Sequence, residues 1–225
     1  MSLRELADLV QGSDEWLDQR RGMMTASVVG QLITPKTIKP AANDYSRALT
    51  VTLAAERITG WTESAYVSAA MMRGTMDEPI ARDLYSRTYA PVAEVGFMVR
   101  DDWGWSLGYS PDGLVGDDGL IEVKSREPKA QLATILADEV PLANMAQIQA
   151  GLIVSGRVWC DYVSYCGGMP MYVKRVTFDQ RWHEAIIDAL AAFEENVAVM
   201  IATYQAAVAG LPTTERIEHF PEARA

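Results

Sequence analysis

Several things are scarce in this 225-residue sequence, and each shortage removes a class of protein. Two cysteines, Cys160 and Cys166, cannot build a disulfide-dense scaffold, a four-cysteine zinc site or a four-cysteine iron–sulfur cluster. The five residues between them also fail the spacing of a C-x-x-C redox pair. With only His183 and His219, a three-histidine metal centre is excluded. Long apolar runs are missing: the best, residues 197–210, is too short to span a bilayer and follows Glu194 and Glu195. Residues 1–10 form a charged amphipathic stretch without the apolar segment of a signal peptide. A cytoplasmic protein with reduced thiols and no membrane contact is the expectation. Positive charge is short as well, with 20 basic against 30 acidic residues and a net charge of −10. That argues against a protein that simply coats nucleic acid. The first 60 residues are balanced, however, and the excess acid lies in residues 61–130 and after residue 180.

What is present is an ordinary folded composition, 49% hydrophobic and 22% charged, sized for a single domain over 1–225. Ser13 is placed to cap a short helix, and Thr25-Ala26-Ser27 leads into a second over residues 28–33. Residues 35–43, with two prolines, read as a loop. A helix from Tyr45 should stop at Gly60. Another is expected over residues 67–87, kinked or restarted at Pro79. Strands are expected at 92–99, 105–109 and 119–125, and a hairpin at 157–165 and 171–177 turning on Gly167-Gly168. Between them, residues 144–154 suit a helix. From Ile186 to Val208, apolar residues recur every three or four positions, as in an amphipathic helix. Helices around a mostly antiparallel sheet make this a mixed α/β (α+β) domain.

The chemistry concentrates in Ser110-Pro111-Asp112-Gly113 and Leu120-Ile121-Glu122-Val123-Lys124. Alternation along a strand points Glu122 and Lys124 to one face and Ile121 and Val123 to the other. A short connection would bring Asp112 beside Glu122. Two carboxylates at one point repel, and a divalent cation relieves the repulsion. Magnesium suits a site with few carboxylates, kept waters and a substrate phosphate. A lysine alongside could orient or deprotonate the attacking water and stabilise developing charge. Asp, then Glu-x-Lys, is therefore a minimal kit for metal-assisted phosphodiester hydrolysis. Glu-x-Lys alone could be a surface pair and Pro-Asp-Gly alone a turn. Their combination at hairpin distance is what carries meaning. A calcium loop starting at Asp112 fails, because its third and fifth positions are Leu114 and Gly116.

These residues resemble those of the PD-(D/E)xK nucleases, and within them the lambda-exonuclease-like, YqaJ-type viral recombination nucleases. Further motifs occur in the family's order: Trp16 with Arg20-Arg21-Gly22 and Thr25-Ala26-Ser27; Gly74 to Glu78-Pro79; and Gln147-Ile148-Gln149. The resemblance runs from about residue 12 to about residue 180. It implies a restriction-endonuclease-like core, a mixed central sheet flanked by helices. It further implies a Mg2+-dependent (Mn2+ may substitute) 5′-to-3′ exonuclease on linear double-stranded DNA ends, yielding mononucleotides and 3′ single-stranded tails for recombination. Asp112, Glu122, Glu78 and the Val123 backbone carbonyl would hold metal, and Lys124 would position the nucleophile. Gln149, ahead of Gln147, would support Lys124 or its water. Arg20, Ser27 and Thr25 would bind the 5′-phosphate, and Arg21, Lys36 and Lys39 would contact DNA. A ring-shaped homotrimer and a single-strand annealing protein are the implied partners. Two rivals stand beside this: a site-specific or structure-specific endonuclease on the same fold, and a non-catalytic DNA-end-binding recombination scaffold. The acidic tail beyond about Glu215 matches no motif of the family.

Overall fold

In the computed structural model the described residues are 3–63 and 67–217. His219 and the end of the acidic tail lie outside them. The elements in chain order are β1 (Leu3–Leu6), α1 (Asp14–Arg20), β2 (Met24–Thr25), α2 (Ala26–Val29), a 3-10 turn (Gly30–Leu32), β3 (Ile33–Thr34), β4 (Lys39–Pro40), α3 (Asp44–Thr59) and α4 (Ala69–Thr88). They continue with β5 (Val92–Ala93), β6 (Phe97–Arg100), β7 (Leu107–Tyr109), β8 (Gly113–Val115), β9 (Gly119–Ser125), α5 (Pro128–Ala137), α6 (Leu142–Ser155), β10 (Trp159–Tyr165), β11 (Tyr172–Thr177) and α7 (Gln180–Ala207).

Local chemistry fixes the helix ends. Ser13 accepts the Trp16 N–H and opens α1, as expected from the sequence. Asn43 and Ser46 form a reciprocal capping box that starts α3, and Gly60 ends it in the left-handed region (φ 64°). The proline-bearing stretch 35–43 is not all loop, since Lys39–Pro40 pairs with Ile33–Thr34. Pro79 neither ends nor restarts α4, which runs through it. A proline there has no N–H, so the Thr75 carbonyl loses its usual i+4 donor.

The five-stranded sheet has the order β11-β10-β9-β8-β5. Its neighbours are antiparallel except β9 and β10, which run parallel. Parallel neighbours need a long crossover, and α5 with α6 supplies it. A four-stranded sheet, β1-β6-β7-β2, stands beside it, with β2 parallel to β7. The strand expected at 92–99 is thus two strands, β5 and β6, in different sheets. The larger sheet is covered on both faces. On one, Ile121, Val123 and Val163 pack on Ala81 and Tyr85 of α4. On the other, Leu120, Cys160 and Tyr162 join the main core with Ile148 and Leu152 of α6 and the Ile186–Leu190–Phe193–Val197 stripe of α7. Among the described residues no helix is long and apolar enough to cross a membrane.

Candidate active site

The two sheets meet at one seam, and the acidic motif occupies it. Strand β7 belongs to the smaller sheet and β8 to the larger, so Ser110-Pro111-Asp112 is the bend between them. Strand β8 pairs with β9 so that Gly113 lies opposite Ile121, which puts Asp112 level with Glu122. The Val123 N–H donates to Asp112 Oδ2 (2.6 Å), fixing that carboxylate on the neighbouring strand.

Glu122 is completely buried. Lys124 Nζ stands 2.7 Å from its Oε1, yet neither carboxylate oxygen has a hydrogen bond of acceptable geometry. A sealed carboxylate with unsatisfied oxygens is costly unless a cation completes it. Asp112 feels the same pressure: burial first, then Glu122 and Glu78, push its carboxyl well above the usual range. Glu78, on α4, is also pushed up, by burial and by Glu122, although Arg82 opposes this. Burial opposes the charge of Lys124, but Glu122 and Asp112 outweigh it and raise the ammonium pKa. The lysine is therefore a firm cation here, suited to donating rather than to taking a proton.

Magnesium accepts a site of one or two carboxylates completed by water and carbonyl oxygen, and Asp112, Glu122 and the Val123 carbonyl are of that chemistry. Among the described residues no three His, Cys, Asp or Glu side chains form a ready metal-ligand group. Glu78 explains part of this. Its Oε1 is taken by Arg82 (2.8 Å), which also pairs with Glu94. Its carboxylate lines the cavity in an ion pair rather than joining Asp112 and Glu122 directly.

The glutamine assignment needs correcting. Lys124 Nζ donates to Gln147 Oε1 (3.0 Å). Gln149 is fully buried, its Nε2 donating to the Thr177 carbonyl (2.8 Å) and its Oε1 accepting the Asp179 N–H (2.9 Å). Residues two apart on a helix differ by about 200° in direction, so only one can face β9. Gln147 supports Lys124, whereas Gln149 bolts α6 to the β11–α7 junction.

The residues expected at a terminal phosphate also come together. Arg20 donates to Thr25 Oγ1 (3.4 Å) and Ser27 Oγ (3.3 Å), and the two hydroxyls are 3.1 Å apart. The guanidinium lies 4.0 Å from the Trp16 ring centroid. Trp16 Nε1 donates to Ser110 Oγ (3.0 Å), two residues before Asp112. The turn after Arg20 is clamped by α3: Gly22 N–H donates to Glu56 (2.6 Å), and Arg57 Nε donates to the Gly22 carbonyl (2.6 Å). Burial lowers the Arg20 pKa to about 10, against the pull of Glu56, which leaves it charged at neutral pH. One cavity of about 370 Å³ holds both groups, with Arg20, Thr25 and Ser27 on one part of its wall and Glu78, Asp112, Glu122, Lys124 and Gln147 on another.

The expected DNA contacts are not part of this cavity. Arg21 pairs with Asp18. Lys36 and Lys39 are exposed at the β3–β4 hairpin. Sequence reasoning missed a bracket on the end of β9: Ser125 Oγ donates to Asp77 Oδ2 (2.6 Å) and accepts from Arg73 Nε (3.1 Å). It ties α4, and hence Glu78, to β9. Arg73, just before the Gly74–Glu78 motif, and Asp77, within it, were its only trace in the sequence.

A comparison with curated proteins finds no match. Among solved structures, an alkaline exonuclease, LHK-Exo, from Laribacter hongkongensis is 32% identical with a TM-score of 0.79, covering 89% of this chain and 100% of that one. The same enzyme in complex with dAMP matches equally. A phage-related exonuclease from Haemophilus somnus 129PT, 11% identical over 81% of this chain and 96% of that one, has a TM-score of 0.63 and shares the fold. Residues 15–158 match the YqaJ-like viral recombinase domain, a span running from the residue before Trp16 to the residue before β10 and so enclosing every residue of the shared cavity except Gln11. The chain belongs to the YqaJ-like viral recombinase domain family.

Proposed function

We propose that this protein is a Mg2+-dependent deoxyribonuclease that degrades one strand of linear double-stranded DNA from the 5′ end, leaving a 3′ single-stranded tail. The observation that carries the reading is the shared cavity: a carboxylate pair with a lysine lies in the same enclosure as an arginine–hydroxyl cluster. The likeness to an alkaline exonuclease supports the reaction class.

Asp112, Glu122 and the Val123 carbonyl would hold the magnesium ion, which supplies Lewis-acid charge and a nucleophilic water at neutral pH. Lys124, kept protonated by Glu122 and Asp112, donates hydrogen bonds to the attacking water or to a non-bridging phosphoryl oxygen. Gln147 limits where that ammonium can go. Arg20 offers its planar fork to a terminal phosphate, and the Thr25 and Ser27 hydroxyls complete the cradle. Gripping that phosphate holds the scissile bond over the carboxylates and separates ends from interiors. Arg82 keeps Glu78 in reserve on the cavity wall.

A ring-shaped homotrimer around the duplex would keep the enzyme on its substrate, and a single-strand annealing protein would take the tail; sedimentation as a trimer of the 24.8 kDa chain is the corresponding expectation. The decisive test is digestion of linear against closed circular duplex, labelled at the 5′ or 3′ end, with Mg2+ or chelator. Early release of 5′ label from linear DNA alone, abolished by chelation, is expected. Cleavage of closed circles would favour an endonuclease, and end binding without cleavage a scaffold.

A further inference from the structure

Gly74 lies inside α4, one turn before Glu78, and lines the cavity that contains Asp112, Glu122 and Lys124. Glycine inside a helix is less favourable than alanine, so its presence calls for a cause. The described residues supply none. Its φ is not positive. A Cβ built on it meets no atom within 4 Å among the described residues. The other glycines of described helices differ: at Gly151 a Cβ would sit 2.8 Å from the Tyr109 ring, and at Gly30 it would sit 3.3 Å from Ala146. Those are accounted for by packing within the chain, and Gly74 is not. The same turn carries the Thr75 carbonyl left without its helical donor by Pro79. Gly74 and Thr75 line the same cavity as Asp112 and Glu122.

We propose that Gly74 is a specificity-determining residue, leaving the clearance through which the scissile nucleotide of a polynucleotide strand reaches Asp112 and Glu122. The proposal rests on the nuclease reading above. It makes a prediction of opposite signs, because a methyl at this position helps the helix and obstructs the substrate.

Gly74→Ala and Gly74→Val test it beside the wild type in three measurements: the thermal midpoint without DNA, the midpoint shift given by Mg2+ alone, and single-turnover digestion of 5′-phosphorylated linear duplex. Gly74→Ala should raise the midpoint by about 2–4 °C, as a gain in helix propensity in a domain of this size. The Mg2+ shift should equal that of the wild type. Digestion should slow by about tenfold or more in Gly74→Ala, and further in Gly74→Val, as for a small displacement of a reacting group. Undiminished digestion in both variants would overturn the proposal. So would a lowered midpoint in Gly74→Ala, which would mean that the chain or a second copy fills the space. A wild type that leaves linear duplex intact with Mg2+ would instead defeat the nuclease reading and this proposal with it. An active wild type with equally active variants would defeat the Gly74 assignment alone.

Discussion

Replacing Arg20 with alanine should uncouple end recognition from chemistry. Among the described residues the guanidinium makes only long hydrogen bonds, 3.4 Å to Thr25 and 3.3 Å to Ser27, and lies over the rings of Trp16 (4.0 Å) and, farther off, Phe97 (5.9 Å). Its contribution to the fold is therefore modest, about 1 kcal/mol from the ring contact and weak bonds together. A midpoint drop of about 2–4 °C would follow. Toward a dianionic terminal phosphate the same group is worth more. A hydrogen bond to a charged partner contributes about 1.5–3 kcal/mol, and the fork can make two. Taking about 2–4 kcal/mol for the loss, and tenfold for each 1.4 kcal/mol, kcat/KM on 5′-phosphorylated ends should fall roughly 30- to 1000-fold. A 5′-hydroxyl end never had that contact, and its digestion should change by about threefold or less. Arg20→Lys keeps the charge without the fork and should fall between the two. The assay is single-turnover release from otherwise identical duplexes that differ only in the 5′ group. Equal losses on both ends would refute the pocket and make Arg20 a general DNA or folding contact.

Asp112→Ala and Glu122→Ala should abolish cleavage while leaving DNA-end binding measurable by anisotropy; wild-type rates in either would remove the metal-site assignment. Lys124→Ala should slow digestion by roughly 10²–10⁴ with Mg2+ affinity retained by calorimetry, and an affinity loss matching that of Glu122→Ala would contradict its role. Gln147→Ala should reduce the rate by about tenfold at unchanged stability, whereas Gln149→Ala, which strands the Thr177 carbonyl and Asp179 N–H, should cost about 2–4 kcal/mol in a denaturant titration. The Asp112 carboxyl is raised in the folded state, so without metal the folded protein holds its proton longer than the unfolded chain does. Stability should therefore fall as pH rises from the ordinary carboxylate range, near 3.8, through the raised value. Asp112→Asn should flatten that decline, and a denaturation midpoint series in chelator that leaves the slope unchanged would show that another group sets it.

The catalytic strand was legible because its two signals are local: alternation places Glu122 and Lys124 on one face, and the Pro-Asp-Gly bend is a turn signature. Residues 119–125 form a strand as read, as does the 159–177 hairpin, and the α7 stripe packs as its spacing requires. The misreadings involve partners distant in sequence. The segment Leu3–Leu6 reads only as part of a charged amphipathic stretch, and pairing with Phe97–Arg100 makes it a strand. Val92 and Phe97 lie in one apolar run, yet belong to different sheets because the chain crosses the seam between them. Helix α5, absent from the sequence reading, carries a local start signal, Pro128 at its first position; it lies in the crossover that parallel β9 and β10 need. At the site, a Q-x-Q pattern contains both a catalytic neighbour and a structural bolt, and choosing between them requires knowing which face of α6 covers β9. The Arg20 cluster was readable only through resemblance, since pairing of Met24–Thr25 with Leu107–Gly108 is what carries it to the seam.

The two halves of the cavity wall are also anchored unequally. Strand β9 is flanked on both sides within its sheet and covered on both faces, so exposing Glu122 amounts to unfolding the protein. Helix α1, by contrast, has no fully buried side chain, and Trp16, Leu17 and Arg20 are only half-buried. Beyond the Gly22 clamp, its links to the seam are the Trp16–Ser110 bond and the long contacts of Arg20 to Thr25 and Ser27. In terms of amide exchange, α1 should open locally and β9 only with global unfolding. If Arg20, Thr25 and Ser27 grip a terminal phosphate as proposed, preference for phosphorylated ends should decay on warming at temperatures where cleavage persists. A bound end works the other way. On the proposed reading it would add contacts to α1, which should then be held most firmly while DNA is bound.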